Sequence, residues 1–270
     1  MFDERRDEVT YRCGCAPRGP ADLAIDKPVG GVGDRLQPRR ATVACFRGAA
    51  CGGATLICFV VFQPVDRSSL PVAKRASRHT RVDIVQSNVE DPDVWKQLID
   101  CDHIFLAADS HTARLLVNAI AHQYLIPVTQ IGAKAQVEDT GNVSGVYSVS
   151  RPIEPGRTCL RCNGLISSAK LTEEATPTEE RKRQRYVNDA DVHAPSVITL
   201  NAVAASVAVN EWLMRTVGLA QRPITPDWIT VDALFGEFNL DGTRKDPDCP
   251  WCGTRRYGRG DALPLPAKIG

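Results

Sequence analysis

Residues 100–132, DCDHIFLAADSHTARLLVNAIAHQYLIPVTQIG, hold the pattern that decides the fold. HIFLAA is a short apolar run that stops at Asp109 and Ser110, as a buried strand does where it leaves the core. The next stretch, SHTARLLVNAIAHQYL, puts Ala113, Leu116, Val117, Ile120 and Ala121 on one face of a helix, with Ser110 as its cap. IPVTQIGA then returns as a second apolar run. Strand, helix and strand in this succession build parallel sheets with crossover helices. Upstream, VAKRASRH reads as a helix and RVDIVQSNV as a strand with a polar turn. DPDVWKQLIDCD reads as a helix with Asp91 at the N-cap and Pro92 in the first helical position. The expected fold is α/β, with a mostly parallel sheet and crossover helices.

An Asp at the carboxyl end of a central strand, just before a capped helix, sits where open parallel sheets bind ligands. Asp109 is therefore the candidate for a nucleotide or Mg²⁺ contact, and a plain capping role accounts for its position equally well.

Two cysteine pairs stand further along: Cys159 and Cys162 in TCLRCNG, and Cys249 and Cys252 in DCPWCGT. A Cys-x-x-Cys turn points two thiolates at one centre, and two such turns supply the tetrahedral sulfur shell of a structural zinc ion. Gly164 and Gly253 lie just beyond the knuckles. A disulfide or redox dithiol is the alternative. Neither knuckle contains a His or carboxylate, so a zinc here would be fully ligated and would tie a late segment to the middle of the chain.

Composition bounds the rest. The 270 residues carry 33 Lys plus Arg against 32 Asp plus Glu, a net charge of +1, which gives no pull toward nucleic acid or membrane. MFDERRDEV leads into no apolar signal core, and no apolar run approaches the roughly 20 residues that span a bilayer. A soluble cytoplasmic protein is expected, and reduced thiols in that compartment favour zinc over disulfides.

Residues 1–71 differ in character from the rest of the chain. They hold Cys13, Cys15, Cys45, Cys51 and Cys58 with many Gly, Pro and Arg, and TLICFVVF is their only strand-like run. VGGVG, with Gly30, Gly31 and Gly33, has the glycine content of a phosphate-cradling turn. The prolines before and after it interrupt the strand and helix that such a turn needs. Between the knuckles, residues 167–191 are polar, with no cysteine and no apolar face, and read as a solvated or mobile connection, with a docking patch as the alternative. APSVITLNAVAASVAVNEWLMRTVGL reads as a long helix opened by Pro195 and closed near Gly218, with Ala202, Ala204, Ala205, Ser206 and Ala208 permitting close packing. Residues 256–270 read as a loose tail.

The run 100–132, the later RPIEPGRTCLRCNG, APSVITLNAVAASVAVNEWL and the closing CPWC together resemble the ThiF/MoeB/HesA family, relatives of the ubiquitin-activating enzymes. The resemblance covers residues 72–255 and implies a Rossmann-like fold. It also implies an ATP-dependent adenylyltransferase: the C-terminal carboxylate of a ubiquitin-like or sulfur-carrier protein attacks the α-phosphate of ATP, forming an acyl-adenylate. On this reading Asp109 matches the family's Mg²⁺-binding aspartate, and Cys159, Cys162, Cys249 and Cys252 match its zinc ligands. Gly30, Gly31 and Gly33 are what remains of its glycine loop, and a homodimer is expected.

The front of the chain departs from the family. Where acidic residues for the ribose are expected stand Phe62, Gln63 and Pro64, with Asp66 the only carboxylate nearby. The Ser-Asn-Leu-x-Arg element reads Ser68-Ser69-Leu70, with Val72 in the place of Arg. Such a break is expected of a shifted reading frame or of a scaffold that has lost ATP and kept a binding surface. The polar connection has no cysteine to form a thioester. A dinucleotide-dependent oxidoreductase is the remaining class, and its Gly-x-Gly-x-x-Gly fingerprint is absent.

Overall fold

The computed structural model describes the backbone of residues 42–50 and 53–61, and residues 81–138, 140–176, 197–221 and 228–266. Gly30, Gly31, Gly33, Asp66, Pro195 and the helix expected over VAKRASRH lie outside the described residues. The strands are β1 (Thr42–Ala50), β2 (Gly53–Val61), β3 (Arg81–Gln86), β4 (His103–Ala107), β5 (Val128–Val137), β6 (Val143–Ile153), β7 (Trp228–Asp232) and β8 (Glu237–Asp241). The helices are α1 (Pro92–Leu98), α2 (His111–Tyr124), α3 (Ser168–Ala175) and α4 (Ile198–Thr216). The apolar run TLICFVVF falls largely in β2.

All eight strands form one sheet in the order β3-β1-β2-β4-β5-β6-β7-β8. The expectation of a mostly parallel sheet is corrected here. Only β2 with β4 and β4 with β5 run parallel, whereas β1–β2, β1–β3, β5–β6, β6–β7 and β7–β8 are antiparallel. For β5–β6 and β7–β8 the physical reason is connection length, because a parallel pair needs a long crossover and an antiparallel pair only a turn. Helix α2 provides that crossover between β4 and β5. Strands β5 and β6 are joined by a turn in which the Glu138 amide donates to the Asn142 carbonyl at 2.8 Å. Strands β7 and β8 are joined by one in which Asp232 Oδ1 accepts from the Leu234 amide at 2.9 Å.

Alternation along β4 divides the core. Ile104, Leu106 and Ala108 are buried against Ala113, Leu116, Val117, Ile120 and Ala121 of α2, the face read from the sequence. On the opposite face, His103 and Phe105 meet Trp212 of α4 at ring-centroid distances of 5.8 and 6.0 Å. Helix α4 approaches the sheet through Ala204 and Ala208, its only buried residues. Ser148 Oγ of β6 also donates to the Leu200 carbonyl at 2.8 Å. The helix ends at Thr216, two residues before Gly218 at φ 73°, close to the expected stop. Most of its apolar side chains, among them Ile198, Val203 and Leu213, stay exposed.

Pro92 does open α1, and Asp91 is its N-cap residue. The Asp91 carboxylate makes no cap hydrogen bond and instead accepts from Ser87 Oγ at 2.7 Å. Residues 256–266, expected to be loose, are hydrogen-bonded to the end of α2. Gly258 N–H donates to the His122 carbonyl at 3.0 Å, and the Tyr124 hydroxyl donates to Asp261 Oδ1 at 2.6 Å. Among the described residues, no helix is long and apolar enough to cross a membrane.

Candidate active site and cysteine cluster

The carboxyl end of β4 hands the chain to α2 at Asp109, which is exposed. Ser110 caps the helix as its sequence position predicts, its Oγ accepting from the Ala113 amide at 3.1 Å. The two preceding amides, His111 and Thr112, donate to the two oxygens of one carboxylate, Glu174, at 2.8 Å each. Thr112 Oγ1 adds a third bond to Glu174 at 2.6 Å. Glu174 comes from α3, inside the stretch expected to be a solvated connection. That expectation is corrected in part, because residues 168–175 form a helix with Ser167 as cap. The sequence shows no apolar face there, and no residue of α3 is buried. The helix is held instead by Glu174 and by the Ser167 amide, which donates to His111 Nδ1 at 3.1 Å. Burial lowers the His111 pKa, with Arg114 adding to the shift and Glu174 opposing it.

Two arginines that the sequence pattern does not single out interact with each other here, and one of them, Arg114, interacts with Asp109 as well. Arg114 donates through Nε to the Ala108 carbonyl at 3.1 Å. Burial lowers its pKa, and the carboxylates of Asp109 and Glu174 oppose that shift. Arg151 of β6 donates to Gln130 Oε1 at 2.6 Å and lies 5.2 Å from the Trp228 ring centroid. Burial draws its pKa down to about 10, Arg114 contributes in the same direction, and Asp241 opposes. The two half-buried guanidinium groups repel each other, and the carboxylates of Asp109 and Glu174 act on Arg114 while that of Asp241 acts on Arg151. The sequence signal for Arg151 is its place between Val149 and Ile153, a charge at an inward position of a strand.

The second site is the cysteine cluster. Cys159, Cys162, Cys249 and Cys252 are all buried, and their sulfurs lie within 4.8 Å of one another. Cys162 Sγ and Cys252 Sγ are 3.6 Å apart, close to the roughly 3.8 Å expected between sulfurs around a tetrahedral zinc. Four soft donors at this spacing fit a metal ion. Hydrogen bonding with Cys252 draws the Cys159 thiol down to about 3; burial opposes this, and the His122 ring assists. The same contact with Cys159 pushes the Cys252 thiol up.

Each knuckle is shaped by its backbone. The Gly253 amide donates to the Cys249 carbonyl at 2.9 Å, and a Cβ on Gly253 would meet that oxygen at 2.6 Å, so a side chain does not fit. Asn163 ties the two segments together: its Nδ2 donates to the Arg244 carbonyl at 3.0 Å, and its Oδ1 accepts from the Arg244 amide at 3.1 Å. Arg244 Nε donates to the Cys162 carbonyl at 2.7 Å.

A model of the ThiF family matches residues 69–251. The chain belongs to the ThiF family. A search of curated proteins returned no match. Among solved structures, this ThiF-family chain is similar to E. coli MccB, with 17% identity, a TM-score of 0.45, and 63% of this chain and 45% of that one covered. It is also similar to the microcin C7 biosynthetic enzyme MccB in complex with N-formylated MccA, at 18% identity and TM-score 0.42, covering 62% and 45% of the two chains. The heterocyclase TruD is a third, at 14% identity and TM-score 0.37, covering 57% and 23%. The chain thus spans less than half the length of the MccB structures it matches.

Proposed function

We propose that this ThiF-family chain is an ATP-dependent adenylyltransferase that activates a carboxylate, namely the C-terminal carboxylate of a small ubiquitin-like or sulfur-carrier protein. The observation that carries the reading is the exposed Asp109 at the carboxyl end of β4, with Arg114 in reach of its charge and Arg151 in reach of Arg114, inside the stretch matched by the family model. MccB has been solved with ATP, and with AMPCPP and MccA, which is consistent with a nucleotide and a small partner. In the reaction the carboxylate oxygen bonds to the α-phosphorus of ATP, the bond to the bridging oxygen breaks, and pyrophosphate leaves with that electron pair.

The chemical difficulty is that two anions must approach each other. Arg114 and Arg151 supply fixed positive charge for that approach, worth more in a half-buried site than in water. Asp109 would hold Mg²⁺, which neutralises phosphate charge when bound. Gly30, Gly31 and Gly33 would face phosphate, and Asp66 would face the ribose. Cys159, Cys162, Cys249 and Cys252 would hold a structural Zn²⁺, whose four sulfur ligands leave no position open for catalysis. A cytoplasmic homodimer completes the reading, with the exposed apolar side chains of α4 available to a second copy.

A second reading is favoured by Phe62, Gln63 and Pro64, which stand where the family places acidic nucleotide contacts. On that reading the chain is a binding module that keeps the fold and does not turn over ATP. Calorimetric titration of the zinc-loaded chain with Mg·ATP, beside Asp109→Ala, separates the two. The enzyme reading expects micromolar binding that Asp109→Ala weakens at least about tenfold, the loss of one charge-assisted contact. A folded, metal-containing chain that binds no ATP leaves the module.

A further inference from the structure

Helix α2 carries two polar side chains on the face that meets the first knuckle. Asn118 and His122 are one turn apart, and both are completely buried. A buried polar group needs a partner, so each of their donors must be accounted for.

For Asn118 the accounting closes on sulfur. Its Oδ1 accepts from the Leu160 amide at 2.9 Å, which fixes the orientation of the carboxamide. Its Nδ2 then faces Cys159 Sγ at 3.5 Å and donates to it. For His122 the same logic runs through the tautomer. Its Nδ1 accepts from the Gly156 amide at 3.1 Å, so the proton of the neutral ring sits on Nε2. That Nε2 is buried and has no hydrogen-bond partner. Asn118, one turn earlier on the same face, reaches the Cys159 sulfur, and the His122 ring lies near enough to that sulfur to lower its pKa. An N–H left without an acceptor in the core is destabilising, and a thiolate in front of it removes that cost.

We infer that Asn118 and His122 are positioning residues for the metal in the cysteine cluster, each donating a hydrogen bond to the Cys159 sulfur. The inference rests on the cluster holding a metal. Four thiolates around one divalent cation are a net dianion, and the four cysteines are buried. Two N–H donors aimed at one sulfur spread that charge over neighbouring groups. They also draw electron density from the Cys159 sulfur, which makes it less prone to attack by electrophiles. Finally, they fasten the metal to α2, the helix whose other end begins beside Asp109.

The test uses the full chain loaded with ¹¹³Cd and, separately, with Co²⁺. In the ¹¹³Cd protein, the Nε2–H proton of His122 and an Nδ2–H proton of Asn118 are expected to show through-hydrogen-bond coupling to the metal. Resolved signals from both protons with no coupling overturn the proposal, and this measurement needs no mutation. In the Co²⁺ protein, Asn118→Asp keeps the acceptor for Leu160 and puts an oxygen where the donor was. His122→Phe removes the donor at similar volume. Both are expected to move the sulfur-to-cobalt charge-transfer band to lower energy and to speed metal loss to a chelator by about 10–100-fold. His122→Gln, which keeps one donor and one acceptor, is expected to restore most of the parent behaviour. Folded variants at parent metal stoichiometry with an unchanged band and release rate overturn the proposal. A parent chain that takes up no metal overturns the metal reading itself, and the inference with it.

Discussion

The two ends of α2 are held in opposite ways. At the amino end, Asp109 is exposed, and the first-turn amides are satisfied by side chains: Ser110 for Ala113, and Glu174 for His111 and Thr112. At the carboxyl end, His122 and Gln123 are fully buried. Gln123 Nε2 donates to the carbonyls of Gly260 and Leu263, and the cysteine cluster lies alongside. One end is closed by reversible, water-facing contacts, and the other is built into the core. A helix anchored in this way presents residues at its free end with little loss of rigidity, which is what a site for charged reactants needs.

The largest effect that bears on this contrast is removal of the metal. Chelation, or Cys252→Ser, is expected to lower the melting temperature by about 10–20 °C in calorimetry, because the binding free energy of a structural metal is folding free energy. Nucleotide binding at the Asp109 end is expected to weaken only as the chain melts. If ATP affinity collapsed at temperatures where the chelated protein is still folded, the two ends would not be separable, and the contrast would fail.

A smaller effect arises on the other face of the sheet, away from both ends. His103 is buried, its Nε2 is 3.1 Å from Thr129 Oγ1, and burial lowers its pKa from 6.5 to about 4. The depressed value means that the unfolded chain takes up a proton more readily than the folded one. The stability is therefore fully present above pH 6.5 and is lost as pH falls from there toward 4. The loss is on the order of 3 kcal/mol. Urea unfolding between pH 7 and 4, at matched metal loading, is expected to show this slope in the parent and a flatter one in His103→Gln. Equal slopes would remove His103 as the source and return the acid response to the groups around α2.

The smallest effect is the most local. Glu174→Ala removes the acceptor of three hydrogen bonds at the amino end of α2. It is expected to cost about 1–2 kcal/mol in global stability. Hydrogen exchange sharpens the contrast: faster exchange is expected at His111 and Thr112, with none at the Leu160 and Gly253 amides. Protection lost at both places would mean that the ends communicate.

The strand–helix–strand unit of residues 100–132 is legible in the sequence because two periodicities and a serine cap agree within one short stretch. The four cysteines are legible because their spacing has few other uses. The direction of the sheet is not. A single crossover helix suggests a rule that the other strands do not obey, and it outweighs the turn residues after Val137, such as Gly141, that point to an antiparallel neighbour. Helix α3 escapes a sequence reading because no apolar periodicity marks it; tertiary hydrogen bonds hold it, and these have no local signature. Arg114, Arg151 and Glu174 escape it for a related reason. A single charge in a sequence is ambiguous until the fold brings another charge beside it. Asp109 stands out because its position at the end of a strand is itself a sequence feature.

The separation of the two knuckles has a consequence for how the protein is made. Cys162 and Cys252 touch across 90 residues of chain, and at ribosomal speed those residues take roughly 5–18 s to appear. During that interval Cys159 and Cys162 are a dithiol without their partners, able to be oxidised or to capture a stray metal. The first knuckle must therefore stay reduced until the second is made, and the two segments close on each other only after Cys252 has left the ribosome.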